Sequence, residues 1–271
     1  MKYLSPHTIR TDSDHLSFFY DERSTRVTDI QLFLNSSIIE NLKKSIQTRT
    51  YVVLGGDGLF VQVAKEAHRD NAQILGINYG TKGFLLHDRE VFEKDSLEFV
   101  IQEYPMLHTD IQIGDKHIHG HAFNEVYLTR AGDASSIKLD ISHRTKNIDG
   151  YVGDGIMIST PAGSTGWSRS YGGIVLPHDA NLSAITPLGK MHPKDFEPMV
   201  IADKGRIRIK NDTTRKNPID ILVDNRRIVS METDAFELII ERASSGVSLL
   251  IEKSYLQKWE NKPYAELGFY S

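Results

Sequence analysis

The 271-residue chain holds 32 Lys and Arg against 36 Asp and Glu, a formal net charge of −4, with 39% hydrophobic and 25% charged residues. This is the balance of a soluble globular protein with room for two modest domains; it excludes disordered and fibrous classes and lacks the basic excess that drives nucleic-acid binding. No apolar run approaches the ~20 residues that span a bilayer, and the start, MKYLSPHTIRTDSDH, lacks the apolar stretch of a secretory signal. A cytoplasmic protein with neither a membrane nor a nucleic-acid partner is expected. With no cysteine there is no disulfide, thiol nucleophile or thiolate metal site, so catalysis must rest on carboxylates, hydroxyls, imidazoles or bound ions.

Residues 16–20, 50–54 and 73–77 are short apolar runs of the kind that parallel strands bury between helices, and 36–47, 59–69 and 90–103 carry apolar residues at helical spacing. The alternation predicts a doubly wound, Rossmann-like α/β domain over residues 1–104. After Pro105 the pattern turns to strands at 107–113, 122–129, 137–142, 155–160, 206–210, 219–223, 236–241 and 247–252. Their period of two, as in RIRIK at 206–210, suits sheets with one wet face and predicts a β-rich, sandwich-like domain over 105–253. Residues 211–218 read as a polar loop, and the tail 254–271 as a short helix that packs back on the first domain.

The strongest chemical signal is Gly55-Gly56-Asp57-Gly58, directly after the apolar strand and before a helix. At the carboxyl end of a parallel strand, glycines permit positive-φ turns and let the backbone approach a phosphate, which makes Gly55, Gly56 and Gly58 candidate phosphate-binding residues. Asp57 there reads as a general base toward a hydroxyl nucleophile or as a ligand of phosphate-bound Mg²⁺; the plain alternative is an Asx-turn. The motif is neither a Walker A loop, because no Lys-Ser/Thr follows, nor the G-x-G-x-x-G dinucleotide fingerprint.

Three further segments follow in order: GINYGTKGFL at 76–85, FNEV at 123–126, and a GDG at 153–155 leading to TPAGSTGWSRS at 160–170. Together with the Gly-Gly-Asp-Gly turn they resemble the NAD kinase family's G-I-N-x-G-x-L-G-F-L, N-E/D and G-D-G…T-P-x-G-S-T-A-Y-x-x-S motifs. A weaker echo lies at Val223-Asp224. The resemblance implies phosphorylation of the 2′-hydroxyl of NAD's adenosine ribose by ATP, or by polyphosphate as donor, with Mg²⁺ carried on ATP and a homodimer or homotetramer as the assembly. It implies Asp57 as catalytic residue and Asp57, Gly58, Phe84, Asn124, Glu125, Asp154, Ala162, Thr165, Gly166, Trp167, Ser170 and Asp224 as NAD-binding residues. The carboxamide and carboxylate of Asn124 and Glu125 suit ribose hydroxyls and an adenine edge; at consecutive strand positions one of them faces inward unless the strand ends or bulges there. For Ser164 and Thr165 the plain alternative is N-capping.

This sequence departs from the family pattern at Leu59, where Thr is usual, at Lys82, where an apolar residue is usual, and at Gly166-Trp167 in place of Ala-Tyr. Two rivals follow: a related kinase with a lipid or sugar-phosphate acceptor, and a non-catalytic dinucleotide sensor. His117, His119 and His121 alternate along a strand and share one face, a spacing that could ligate a transition metal, although no nearby carboxylate completes an evident site and a hairpin near Gly114-Asp115 exposes them to solvent.

Overall fold

The structure, a computed structural model, describes residues 4–81, 83–132, 135–202, 205–212, 217–231 and 234–265. The chain divides into two units, one of Met1–Tyr104 with Gly246–Ser271 and one of Pro105–Ser245.

The first unit opens with a hairpin of β1 (Thr8–Ser13) and β2 (Leu16–Asp21), turning at Asp14, whose φ is +57°. Helices α1 (Val27–Leu34) and α2 (Ile38–Ser45) lead to β3 (Thr50–Gly55), α3 (Asp57–Arg69) and β4 (Gln73–Asn78), and β2, β3 and β4 run parallel. These strands are nearly continuous apolar runs because both of their faces are buried. After β4 come a 3₁₀ turn at Arg89–Phe92 and the strand β5 (Phe99–Tyr104).

The helix expected over 90–103 is therefore replaced by a turn and a strand. Val100 and Ile101 are β-branched, and β5 pairs residue for residue with a strand from the far end of the chain, a partner that local spacing cannot reveal.

Among its described residues the second unit is all β apart from two single-turn helices. Its elements are β6 (Leu107–Ile113), β7 (Lys116–Ala122), β8 (Glu125–Arg130), β9 (Ile137–His143), β10 (Lys146–Gly153), β11 (Gly155–Ser159), α4 (Pro161–Ser164), α5 (Trp167–Ser170), β12 (Ser183–Leu188), β13 (Met199–Ile201), β14 (Ile207–Asn211), β15 (Ile219–Val223), β16 (Arg226–Met231) and β17 (Glu237–Arg242). They form two six-stranded antiparallel sheets, ordered β10-β9-β14-β17-β6-β7 and β13-β12-β11-β8-β15-β16. The two sheets share one core, in which Ile111, Leu139, Ile209 and Ile240 of the first meet Leu128, Ile156 and Ile221 of the second.

The chain then returns to the first unit with β18 (Val247–Glu252), parallel to β4 and antiparallel to β5, and ends its described part in α6 (Leu256–Ala265). The first sheet is thus ordered β1-β2-β3-β4-β18-β5. The reading that carried the β-rich domain to residue 253 is corrected here, because β18 belongs to the first unit's sheet. Its burial explains why: Val247, Leu249, Leu250, Ile251 and Glu252 are all buried, as in an interior strand of a sheet covered on both faces rather than in the alternating strands of a sandwich. Among the described residues no helix is long and apolar enough to cross a membrane.

Candidate active site

In the first unit, β3 ends at Gly55 and α3 begins at Asp57, so the helix's first-turn N–H groups, which have no intrahelical acceptor, lie at the carboxyl end of the parallel strands. Segment 76–85 folds directly against this turn. The Tyr79 N–H donates to the Gly55 carbonyl at 2.8 Å and the Gly80 N–H to Asn78 Oδ1 at 2.9 Å. A Cβ added to Gly80 would stand 3.3 Å from the Gly56 Cα, and one on Gly83 3.0 Å from the Asn78 carboxamide, so both glycines serve close approach.

The Asp57 carboxylate is clasped from this side. Its Oδ2 accepts the Phe84 N–H and its Oδ1 the Leu85 N–H, both at 2.9 Å. Burial raises its pKa above the ordinary aspartate value, against the opposing pull of these two N–H groups and of the Lys262 ammonium. Each oxygen keeps lone-pair capacity for a further donor.

The neighbouring glycines differ from expectation in one respect. None of Gly55, Gly56 and Gly58 adopts a positive φ, and Gly56 is extended. They provide access instead: a Cβ on Gly56 or Gly58 would meet nothing within 4 Å, which leaves the backbone open to an anion, whereas Leu59 Cδ2 covers Gly55 at 3.0 Å from the position of its missing Cβ.

Two further residues hold the clasp, and the motifs did not point to either. Lys262 of α6 donates from Nζ to the Gly83 carbonyl at 2.9 Å and to the Leu86 carbonyl at 2.5 Å, and so ties both flanks of the two N–H groups that bind Asp57. The ammonium lies 4.8 Å from the Trp259 ring centroid and 5.2 Å from that of Tyr255, and burial lowers its pKa to about 8. His87, fully buried, lies between backbone groups: Nδ1 is 2.9 Å from the Gly76 carbonyl and Nε2 accepts the Glu252 N–H at 3.0 Å. Those partners require the neutral Nδ1–H tautomer, in keeping with a pKa that burial lowers to about 4.

In the second unit a second carboxylate does similar work. Asp224 and Asn225, at φ +47° and +59°, form the two-residue turn between β15 and β16. Asp224 Oδ2 accepts the Phe123 N–H at 3.0 Å, and Oδ1 accepts the N–H groups of Asn124 at 2.7 Å and Glu125 at 3.2 Å. The strand begins at Glu125, so Asn124 lies just before it and the two side chains escape strict alternation. Asn124 Oδ1 is buried and has no hydrogen-bond partner among the described residues, an acceptor available to a ligand's donor.

The loop after β11 packs onto this pair. Thr160 is the N-cap of α4, its Oγ1 accepting the Gly163 N–H at 3.2 Å and donating to the Phe123 carbonyl at 2.6 Å, with Pro161 in the first turn. A Cβ on Gly163 would stand 2.2 Å from the Asn124 carbonyl oxygen, which accounts for glycine there. Neither Ser164 nor Thr165 is an N-cap: their hydroxyls donate to the Pro161 and Ala162 carbonyls, and Thr165 stands at the C-terminal end of α4. Ala162 is buried, while Gly166, Trp167 and Ser170 are exposed. The Trp167 ring packs at 5.4 Å against that of Tyr127 and leaves its other parts 47% exposed, enough to stack a base.

Residues 123–244, nearly the whole second unit, match the family model described as the ATP-NAD kinase C-terminal domain. An NAD kinase of Clostridium botulinum (strain Alaska E43 / Type E3) is 30% identical over 241 residues, covering 86% of this chain and 83% of that protein; one of Sulfurimonas denitrificans is 30% identical over 211 residues, covering 75% and 72%. The chain belongs to the NAD kinase family. The family fold is also that of a yeast NADH kinase complexed with NADH (TM-score 0.70, 22% identity, 85% of this chain and 69% of that one). It recurs in an Archaeoglobus fulgidus NAD kinase in complex with ATP (TM-score 0.62, 20% identity, 91% and 96%).

Within each unit the family's motif residues gather, with one exception. Asp57 meets Phe84, and Asn124 and Glu125 meet Asp224, with Ala162 and Thr165 in the adjoining loop. Asp154 stands apart: β8 pairs Glu125 with Ser159 but Thr129 with Gly155, which puts Asp154 at the other end of the strand, about 16 Å away at 3.3 Å per residue. There it accepts from Arg130 Nε at 2.8 Å. Lys82 lies outside the described residues. At the glycine-rich turn Asp57 is the carboxylate present, and one such group fits a cation carried on ATP oxygens better than one caged by protein.

Proposed function

We infer that this chain is an NAD kinase, transferring the γ-phosphate of ATP to the 2′-hydroxyl of NAD's adenosine ribose to give NADP. Family membership supports the reaction, and the observation that carries the division of roles is the Asp57 carboxylate, clasped by Phe84 and Leu85 and partly desolvated beside the open Gly56 and Gly58. The 2′-oxygen attacks the γ-phosphorus, its proton passes to Asp57, and the bond to the β–γ bridging oxygen breaks, ADP keeping the electron pair. A raised pKa makes this carboxylate a better proton acceptor than an ordinary aspartate. Gly56, Gly58 and the α3 N-terminus face the phosphates; Gly55, which shares that role in the family reading, lies under Leu59. Mg²⁺ carried on ATP would neutralise phosphate charge as the transferred group moves.

The proposed NAD contacts are Asp57, Gly58 and Phe84 in the first unit and Asn124, Glu125, Ala162, Thr165, Gly166, Trp167 and Ser170 in the second. The unpartnered Asn124 Oδ1 supports an adenine amino group there, and the exposed Trp167 face supports stacking. Asp154 fits a homodimer or homotetramer, because the far end of β8 is too distant for one nucleoside to touch both Asp154 and Asn124; Asp224, bonded to the Asn124 N–H, joins the proposed NAD contacts of the second unit. Light scattering at assay concentration should report a dimer or tetramer; a monomer that turns over fully would remove Asp154 from the site.

NADP formation is the direct test, with NAD and NADH as acceptors, ATP and polyphosphate as donors, and diacylglycerol and fructose 6-phosphate as rival acceptors. Asp57→Asn should lose about 10²–10⁴-fold in kcat while still binding NAD. A wild-type rate in that variant would end the base assignment, and NAD binding without turnover by any donor would leave a dinucleotide sensor.

A further inference from the structure

The outer face of the β6–β7 hairpin presents a second, unrelated chemistry. Its register pairs His108 with His121, Asp110 with His119 and Gln112 with His117. The period of two in both strands puts these six side chains on one face and turns Ile111, Gly120 and Ala122, all buried, to the other. Four imidazoles and a carboxylate therefore share one outer face of the β6–β7 hairpin, whose strand β7 is the sheet's edge.

The carboxylate lies between two of the imidazoles. His117 Nδ1 is 3.0 and 3.3 Å from the two Asp110 oxygens, and His119 Nδ1 is 3.5 Å from Oδ1. One donor atom from each residue falls within 4.8 Å of the others, the one such grouping of three among the described residues. A zinc-class ion with ligands at about 2.0–2.1 Å in tetrahedral geometry needs them about 3.3 Å apart; the two carboxylate-to-imidazole separations match this, and the separation between the two imidazoles, within 4.8 Å, has to close by ring rotation. The His119 ring stacks between those of His108 (5.8 Å, 15°) and His117 (6.1 Å, 21°), which limits its freedom before any ion arrives.

The plain reading is a polar edge strand guarded against pairing with other chains. Guarding requires exposed charge, which a lysine supplies; it does not require two imidazole nitrogens to converge on one carboxylate. Two nitrogens and one oxygen also select among ions, because Mg²⁺ and Ca²⁺ take oxygen ligands whereas imidazole suits zinc, copper, nickel and cobalt. We propose that Asp110, His117 and His119 form a surface site for a divalent late transition ion of the zinc class, with water in the fourth position, which fastens edge strand β7 to β6. The strand it fastens runs two residues later into Asn124 and Glu125. The site does not depend on the kinase reading.

The test uses the full-length chain without an affinity tag, stripped with chelator and titrated with ZnCl₂ by calorimetry and with CoCl₂ by visible absorption, with melting followed in parallel. One equivalent should bind with a rise in Tm, and the cobalt form should show the intense d–d bands of a low-coordinate site. His117→Ala and His119→Ala should each weaken binding at least about tenfold, Asp110→Asn likewise, and His121→Ala, outside the triad, should leave the affinity in place. Melting in chelator establishes that each variant is folded. Absence of stoichiometric binding, or binding that survives the double substitution of His117 and His119, would overturn the site.

Discussion

Asp57 has to be rigid and anionic at once, and these demands pull against each other. The Phe84 and Leu85 N–H groups fix the carboxylate and favour its charge, while the burial that fixing entails disfavours it, and burial is the larger effect. A folded-state pKa raised in this way contributes stability at pH below the unfolded value, and that stability is lost as pH rises through the folded value. The base works only in the anionic form, so activity runs the other way: kcat/KM should fall on an acidic limb whose midpoint lies above the ordinary aspartate value of 3.8. Lys262 tempers this, its ammonium pulling the Asp57 pKa down while its hydrogen bonds hold the turn. Lys262→Met should therefore move the acidic limb to higher pH and lower kcat about tenfold to hundredfold, with Lys262→Arg restoring the limb. A pH–rate profile on the three proteins checks it, and an unmoved limb would make Lys262 only a helix anchor. Lys262 itself has its pKa lowered to about 8 from 10.5, so its own linkage makes the fold gain stability as pH rises through that window.

Among the elements, what could be read in the sequence followed how local the cause was. β2, β3 and β4 were legible as apolar runs because parallel strands are covered on both faces, and the glycine-rich turn was legible because it interrupts a strand and a helix in direct succession. The stretch 90–103 misled because apolar residues such as Leu97 and Ile101 stand four apart, a helical interval, while the force that makes 99–104 a strand is its pairing with 247–252. β10 and β16 each open on two exposed polar residues and carry a third further on, so their apolar signal is short and weak. In the site, Asp57, Asn124 and Asp224 stood inside motifs, but the duty the structure assigns to two of them, binding the N–H groups of a distant turn, is a tertiary fact. His87 and Lys262 sit in stretches with no motif, and a histidine or lysine on an amphipathic segment reads as ordinary. Asp110 escaped notice beside the histidines because it lies across the hairpin, seven residues from His117.

At the scale of the whole chain, the first unit is split by the second, and the split is narrow. Tyr104 and Val247 are paired partners in the β5–β18 ladder, and Gly246 is so close that a Cβ there would stand 2.2 Å from the Tyr104 carbonyl oxygen. The first unit therefore depends on the end of the chain: β5 has β18 as its neighbour in the sheet, β4 has it on one side, and Trp259 of α6, fully buried, donates to the Tyr104 hydroxyl at 2.8 Å. Residues 1–104 alone should fail to fold, since they leave β5 without a partner and β4 with an open apolar edge. Because Tyr104 and Val247 face each other in an antiparallel pair, a two-residue turn can join them. A chain in which residues 105–246 are replaced by Asn-Gly should regain the fold of the first unit, with α/β circular dichroism, a cooperative melt and a buried Trp259 signal in fluorescence. If it bound ANS and melted without cooperativity, the first unit would need the second for stability as well as for continuity.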